Sequence, residues 1–208
     1  MGAGVSANHG YNIGLELTNC YAKYFDHREV ELNGLIDKLK LNNLQIKILG
    51  DLMNKLTHAK ADDKQADFTN DELAKKLAYL VHLSNPTILD DKIKGIPEDG
   101  GTLEQKLQEV IGQLKDQGYP DDEIDLNLIL DNINVSGISL DILAKDDIDI
   151  IIQGLDAETK MRSADLNEVM MNINSKYEDR SQMTENARQV LKTASDHIES
   201  IIRRAGQR

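Results

Sequence analysis

Apolar positions recur at alternating intervals of three and four residues along two long stretches of the chain, the spacing of a helix face built to pair. The longer stretch runs from Leu155 to Ala205 without a glycine or proline. Setting Met170, Tyr177, Thr184, Leu191, Ile198 and Ala205 as one row puts Leu166, Ile173, Arg180, Ala187, Ala194 and Ile201 in the companion row. Arg180 and Thr184 interrupt this seam. A helix over the whole stretch is roughly 75 Å long at about 1.5 Å per residue. It cannot bury its own stripe.

A second seam starts at Leu32. One row reads Leu32, Leu39, Ile46 and Met53, and its companion reads Leu35, Asn42, Leu49 and Leu56. This helix is the natural intramolecular partner of the C-terminal one. A further apolar row, Leu41, Leu44, Ile48 and Leu52, lies off that seam, so the middle of the helix is expected to face more than one neighbour. Asn42 sits in the seam itself, where a polar residue costs stability but can fix register.

Between the two helices the pattern breaks into short pieces. Residues 60–67 are charged and Ala-rich and read as a loop or frayed end. Thr69 and Glu72 have capping-box spacing and predict a helix to about Leu83, stopped by Ser84-Asn85-Pro86. Thr102 and Gln105 predict another to about Gln117, broken by Gly118-Tyr119-Pro120. All three prolines fall in this middle third. Ile133, Val135 and Ile138 alternate around a Ser-Gly turn and suggest at most a very short β-hairpin. The expected fold is mainly α, with two long helices forming an antiparallel coiled coil. The expected divisions are a mobile, polar segment at 1–20, a first coiled-coil helix at 21–59, a middle domain of short helices at 60–145 and a C-terminal helix at 146–208.

Composition agrees with an elongated helical protein. Two Phe, six Tyr and no Trp supply little of the bulk that compact enzyme cores use, whereas bundles pack with Leu, Ile, Met and Ala. A formal charge of -12 with scattered basic residues argues against nucleic acid as a partner. Acidity of this kind keeps a sticky helical surface soluble. Cys20 is the single cysteine, so no intrachain disulfide forms. No apolar run is long enough for a transmembrane helix, and the first 20 residues lack the basic-then-apolar order of a cleaved signal peptide.

Candidate chemistry is sparse. The five histidines are widely spaced and fall in no zinc-ligating pattern. Cys20 and His27 share a helix face but lack an orienting third group. Asn132, Asn134, Ser136 and Gly137 fit early places of a calcium loop, yet the twelfth place is Leu143 rather than a bidentate Glu. Phosphate-cradling loops and nucleophile elbows are missing as well. No catalytic residue, cofactor or metal is expected. Gly2 satisfies a myristoylation pattern, Met1-Gly2 with Ser6, although no polybasic patch follows to strengthen a single acyl chain. Arg203, Arg204 and Arg208 complement the dipole at a helix C-terminus.

The segment Asn132-Ile-Asn-Val-Ser-Gly-Ile-Ser-Leu-Asp141, followed by Asp146-Asp-Ile-Asp-Ile-Ile-Ile-Gln-Gly154 and the heptad helix from Leu166 to Ile202, resembles the C-terminal third of the filament branch of hydrophilic translocators of bacterial type III secretion. These are needle-tip and tip-filament proteins. The rest of the chain matches in architecture only, and its N-terminal half carries no assignable motif. The resemblance implies export through the needle without signal cleavage, with the first 20 or so residues as the address, after cytoplasmic shielding by a chaperone. At the cell surface such a protein contacts the needle subunit and the hydrophobic translocators. It self-associates through the C-terminal helix, which assigns that role here to Leu166, Met170, Ile173, Tyr177, Ala187, Leu191, Ala194, Ile198 and Ile201. Folding back onto Leu32, Leu35, Leu39, Ile46, Leu49, Met53 and Leu56 is expected to compete with pairing between chains. The alternative reading is a helical adaptor or host-delivered effector, N-myristoylated at Gly2, that binds a partner helix.

Overall fold

A computed structural model describes residues 5–61, 65–97 and 101–205, with side chains from Asn19 onward apart from those of Asp90, Ile198, Ile201, Ile202 and Ala205. The chain is mainly α. Helix α1 spans Val5–Ala61, α2 Glu72–Ser84, α3 Pro86–Leu89, α4 Leu103–Asp116, α5 Leu126–Asp131 and α6 Lys145–Ala205, and a 3-10 turn covers Asp90–Lys92. The one sheet among the described residues pairs β1, Ile93–Lys94, with β2, Ser139–Leu140. The two long helices reach 57 and 61 residues and pack antiparallel.

Two compact units divide these elements. Residues 1–38 and 168–208 form the first, residues 39–167 the second. The boundary falls inside both long helices, whereas the sequence predicts divisions where the helices end. Helix α1 also begins at Val5, within the segment set apart as polar and mobile. Gly2 lies outside the described residues.

The second unit holds nearly all of the buried apolar side chains. Ile48, Leu49, Leu52 and Leu56 of α1 are buried with Leu77 and Leu80 of α2, Leu107 and Leu114 of α4, Ile129 of α5 and Ile148 and Leu155 of α6. Leu41, Ile48 and Leu52, the off-seam row, therefore do meet additional neighbours. Full burial of each such side chain contributes about 1.5–3 kcal/mol.

Local chemistry sets the ends of the short helices. Thr102 accepts from the Gln105 amide while the Gln105 side chain accepts from the Thr102 amide, the predicted capping box. At the other end of α4, Gly118 takes φ 95°, its amide bonds to Lys115 and the Tyr119 amide to Leu114, a Schellman closure. Helix α2 corrects the prediction. Its N-cap is Asp71, which accepts from the Ala74 amide at 2.9 Å, while Thr69 is held by Asp67 through its amide and hydroxyl. Lys55 bonds the second oxygen of Asp71 at 2.5 Å, so the carboxylate both caps α2 and fastens it to α1.

The expected local hairpin is also replaced. Ile133, Val135 and Ile138 are all buried, and the segment turns through Gly137 at φ 83°. β2 starts directly after and pairs with the distant β1 in the register Ile93↔Leu140 and Lys94↔Ser139. Burial still alternates, with Ile133, Val135, Ile138 and Leu140 inside and Asn134, Ser136 and Ser139 outside, but β2 takes its ladder partner from β1 rather than from the residues before the turn. Helix α6 begins ten residues before the glycine-free run, because Gly154 is accommodated in its interior against the Ile88 side chain.

Candidate interaction surface

Helix α6 carries the only constellation among the described residues that combines regular spacing with exposed apolar side chains. In the first unit its inward row is Val169, Lys176 and Met183, alternating with Ile173 and Ala187. Val169 is 3% exposed and, with Leu32 of α1, forms the dry part of this unit. The remaining inward positions are partly covered. The row Met170, Tyr177, Thr184 and Leu191 lies one residue over and faces out: Met170 is 47% exposed, Tyr177 50% and Leu191 65%. Met171 and Val190 are exposed beside it.

The predicted α6 seam is thus split. Ile173 and Ala187 face inward in the first unit, and Leu166 of the second unit is partly covered. Ala194 and Arg180 are exposed, and the side chains of Ile198 and Ile201 lie outside the described residues. The α1 seam is not split: Leu32, Leu49 and Leu56 are buried, and Leu35, Leu39, Ile46 and Met53 partly so. Sequence reading missed Val169 and Met183 because Lys176 stands between them, making the neighbouring row look the more apolar. A cation can occupy such a position when its stem packs and its charge finds a partner.

That partner is Glu31. Lys176 donates to it at 2.8 Å and Arg28 at 2.9 Å, with His27 at 3.5 Å. Arg28 also donates to the Tyr24 hydroxyl, stacks over that ring at 5.1 Å and reaches Asp179 at 3.8 Å. The pairings 28 with 179 and 31 with 176 run in opposite directions along the chain, which fixes the antiparallel sense. Hydrogen bonding from Lys176, then from Arg28, holds Glu31 below the usual carboxylate range. The hydrogen bond to Tyr24, then that to Glu31, raises Arg28.

A second polar cluster belongs to the other unit. Glu158 of α6 is 4% exposed and accepts from Arg162 at 2.9 Å, Asn85 at 3.1 Å and Ser84 at 3.4 Å. It ties α6 to the end of α2. Asn42 is buried as well, and among the described residues its Nδ2 finds no partner, nor does Oε1 of neighbouring Gln45. No set of three His, Cys, Asp or Glu among the described residues is grouped to hold a metal, and no described helix is long and apolar enough to cross a membrane.

Geometry and spacing define the class: a mainly α protein built on an antiparallel pair of long helices, with one heptad row of the second left uncovered. No family model, curated protein or solved structure matches the chain.

Proposed function

We propose that this chain is a structural, non-enzymatic component of a type III secretion needle tip or extracellular tip filament. It is secreted through the needle after being held by a chaperone, self-associates through α6, and links the needle subunit to the hydrophobic translocators. The observation that carries this reading is the exposed heptad row Met170, Tyr177, Leu191 on a helix already paired on its adjacent face. A stripe wider than one partner covers is the pattern of a helix in a bundle of more than two. The likeness of residues 132–202 to the filament branch supplies the biological setting.

The experiment follows the chain in a secreting strain. Intact protein is expected in culture supernatant only when the apparatus is functional, and electron microscopy of the purified protein is expected to reveal ordered assemblies. Leu191→Asp should leave export intact and block assembly. Retention inside cells regardless of the apparatus, together with a persistently monomeric product, would favour the adaptor reading instead.

A further inference from the structure

We infer that two copies of the chain pair through α6 antiparallel to each other, about a two-fold axis at Thr184. This rests on the self-association reading and gives it a direction.

The row that remains exposed after α1 and α6 have paired repeats every seven residues at Met170, Tyr177, Thr184 and Leu191. Placing Thr184 against Thr184 of a second copy in antiparallel sense sets Tyr177 opposite the second copy's Leu191, and Leu191 opposite its Tyr177. Each large side chain then meets a large one, and the small polar residue meets itself at the axis.

Charge selects the same sense. Residues 165–185 carry five acidic and two basic side chains, whereas residues 186–205 carry two acidic and four basic. Antiparallel pairing lays the acidic half of one helix along the basic half of the other, with Glu178 beside the second copy's Arg188. Parallel pairing lays acidic half along acidic half and basic half along basic half, which is unfavourable. Small, exposed Ala194 on the flank allows the two backbones to approach.

This contact uses a different row from the one that α1 covers, so the intramolecular helix pair stays closed. An isologous contact of this kind closes on itself and yields a dimer. Any longer assembly is then built from such dimers through a second surface.

Cysteine cross-linking in the full chain tests the arrangement, in a Cys20→Ser background because Cys20 is exposed. Thr184→Cys should form an intermolecular disulfide on mild oxidation, since a residue on the axis meets its own copy within bonding range. Tyr177→Cys alone should give roughly tenfold less, and a mixture of Tyr177→Cys with Leu191→Cys should restore the yield as a mixed dimer. If Tyr177→Cys links to itself as readily as Thr184→Cys in protein that sediments as an oligomer, the antiparallel sense is overturned and self-association stands. If the uncross-linked chain sediments as a monomer throughout the working concentration range, both fall.

Discussion

Gly34 and Gly95 respond to the same substitution in opposite ways, because their surroundings and backbones differ. Gly34 lies in α1, and a Cβ built there meets nothing within 4 Å. Gly34→Ala is therefore expected to stabilise the protein by about 0.5–1 kcal/mol, through helix propensity alone. Gly95 has φ 78°, and a Cβ there collides with the Gly137 carbonyl oxygen, where the chain passes close beside β1. Gly95→Ala should cost about 2 kcal/mol or more, combining left-handed strain with displacement of the 137 turn. Urea titrations of the two variants check both signs. Some residue-scale detail was readable in advance, such as the Thr102 and Gln105 box, since both partners lie within one turn. The Asp71 cap was not: its competition with Thr69 is settled by Lys55, sixteen residues away.

Among the elements, α6 presents neighbouring rows with different roles. Val169→Asp places a charge in the dry contact with α1 and should loosen the first unit by about 2–3 kcal/mol. Met170→Asp, one residue along, should change stability by less than about 0.5 kcal/mol because its side chain already faces water. Hydrogen exchange over residues 169–187 distinguishes them: amides should exchange faster in the Val169 variant alone. Equal acceleration in both would mean that the Met170 row, too, holds the helix pair together. If the proposed self-association holds, the anticipated competition between folding back and pairing with another chain is replaced by a division between adjacent rows. Heptad spacing announces a stripe, but assigning it to one partner or two depends on which side chains the first partner covers.

Acid acts at the scale of the whole molecule. Glu31, Asp67, Asp71, Asp121 and Asp147 all lie below the usual carboxylate range in the folded chain. Burial pushes Asp71 up, but its bonds from Lys55 and the Ala74 amide together outweigh that push, whereas Lys115 lowers Asp121 and Lys92 lowers Asp147. Thr69, through its hydroxyl and then its amide, lowers Asp67. A depressed carboxylate contributes stability above its unfolded value and loses it as pH falls through the folded one. Thermal stability should therefore hold between about pH 7 and 5 and decline below about pH 4, as a melting series across pH will establish. A decline beginning near pH 6 would point to the histidines instead. The long helices and the segmented middle are decided by the sequence alone, because periodicity, caps and prolines act over one or a few turns. Only the tertiary structure decided that β2 pairs with β1, that Asp71 caps α2, and that Val169 faces α1 while Met170 faces water. Each of those outcomes is a choice between near-equal local options, settled by groups far apart in the chain.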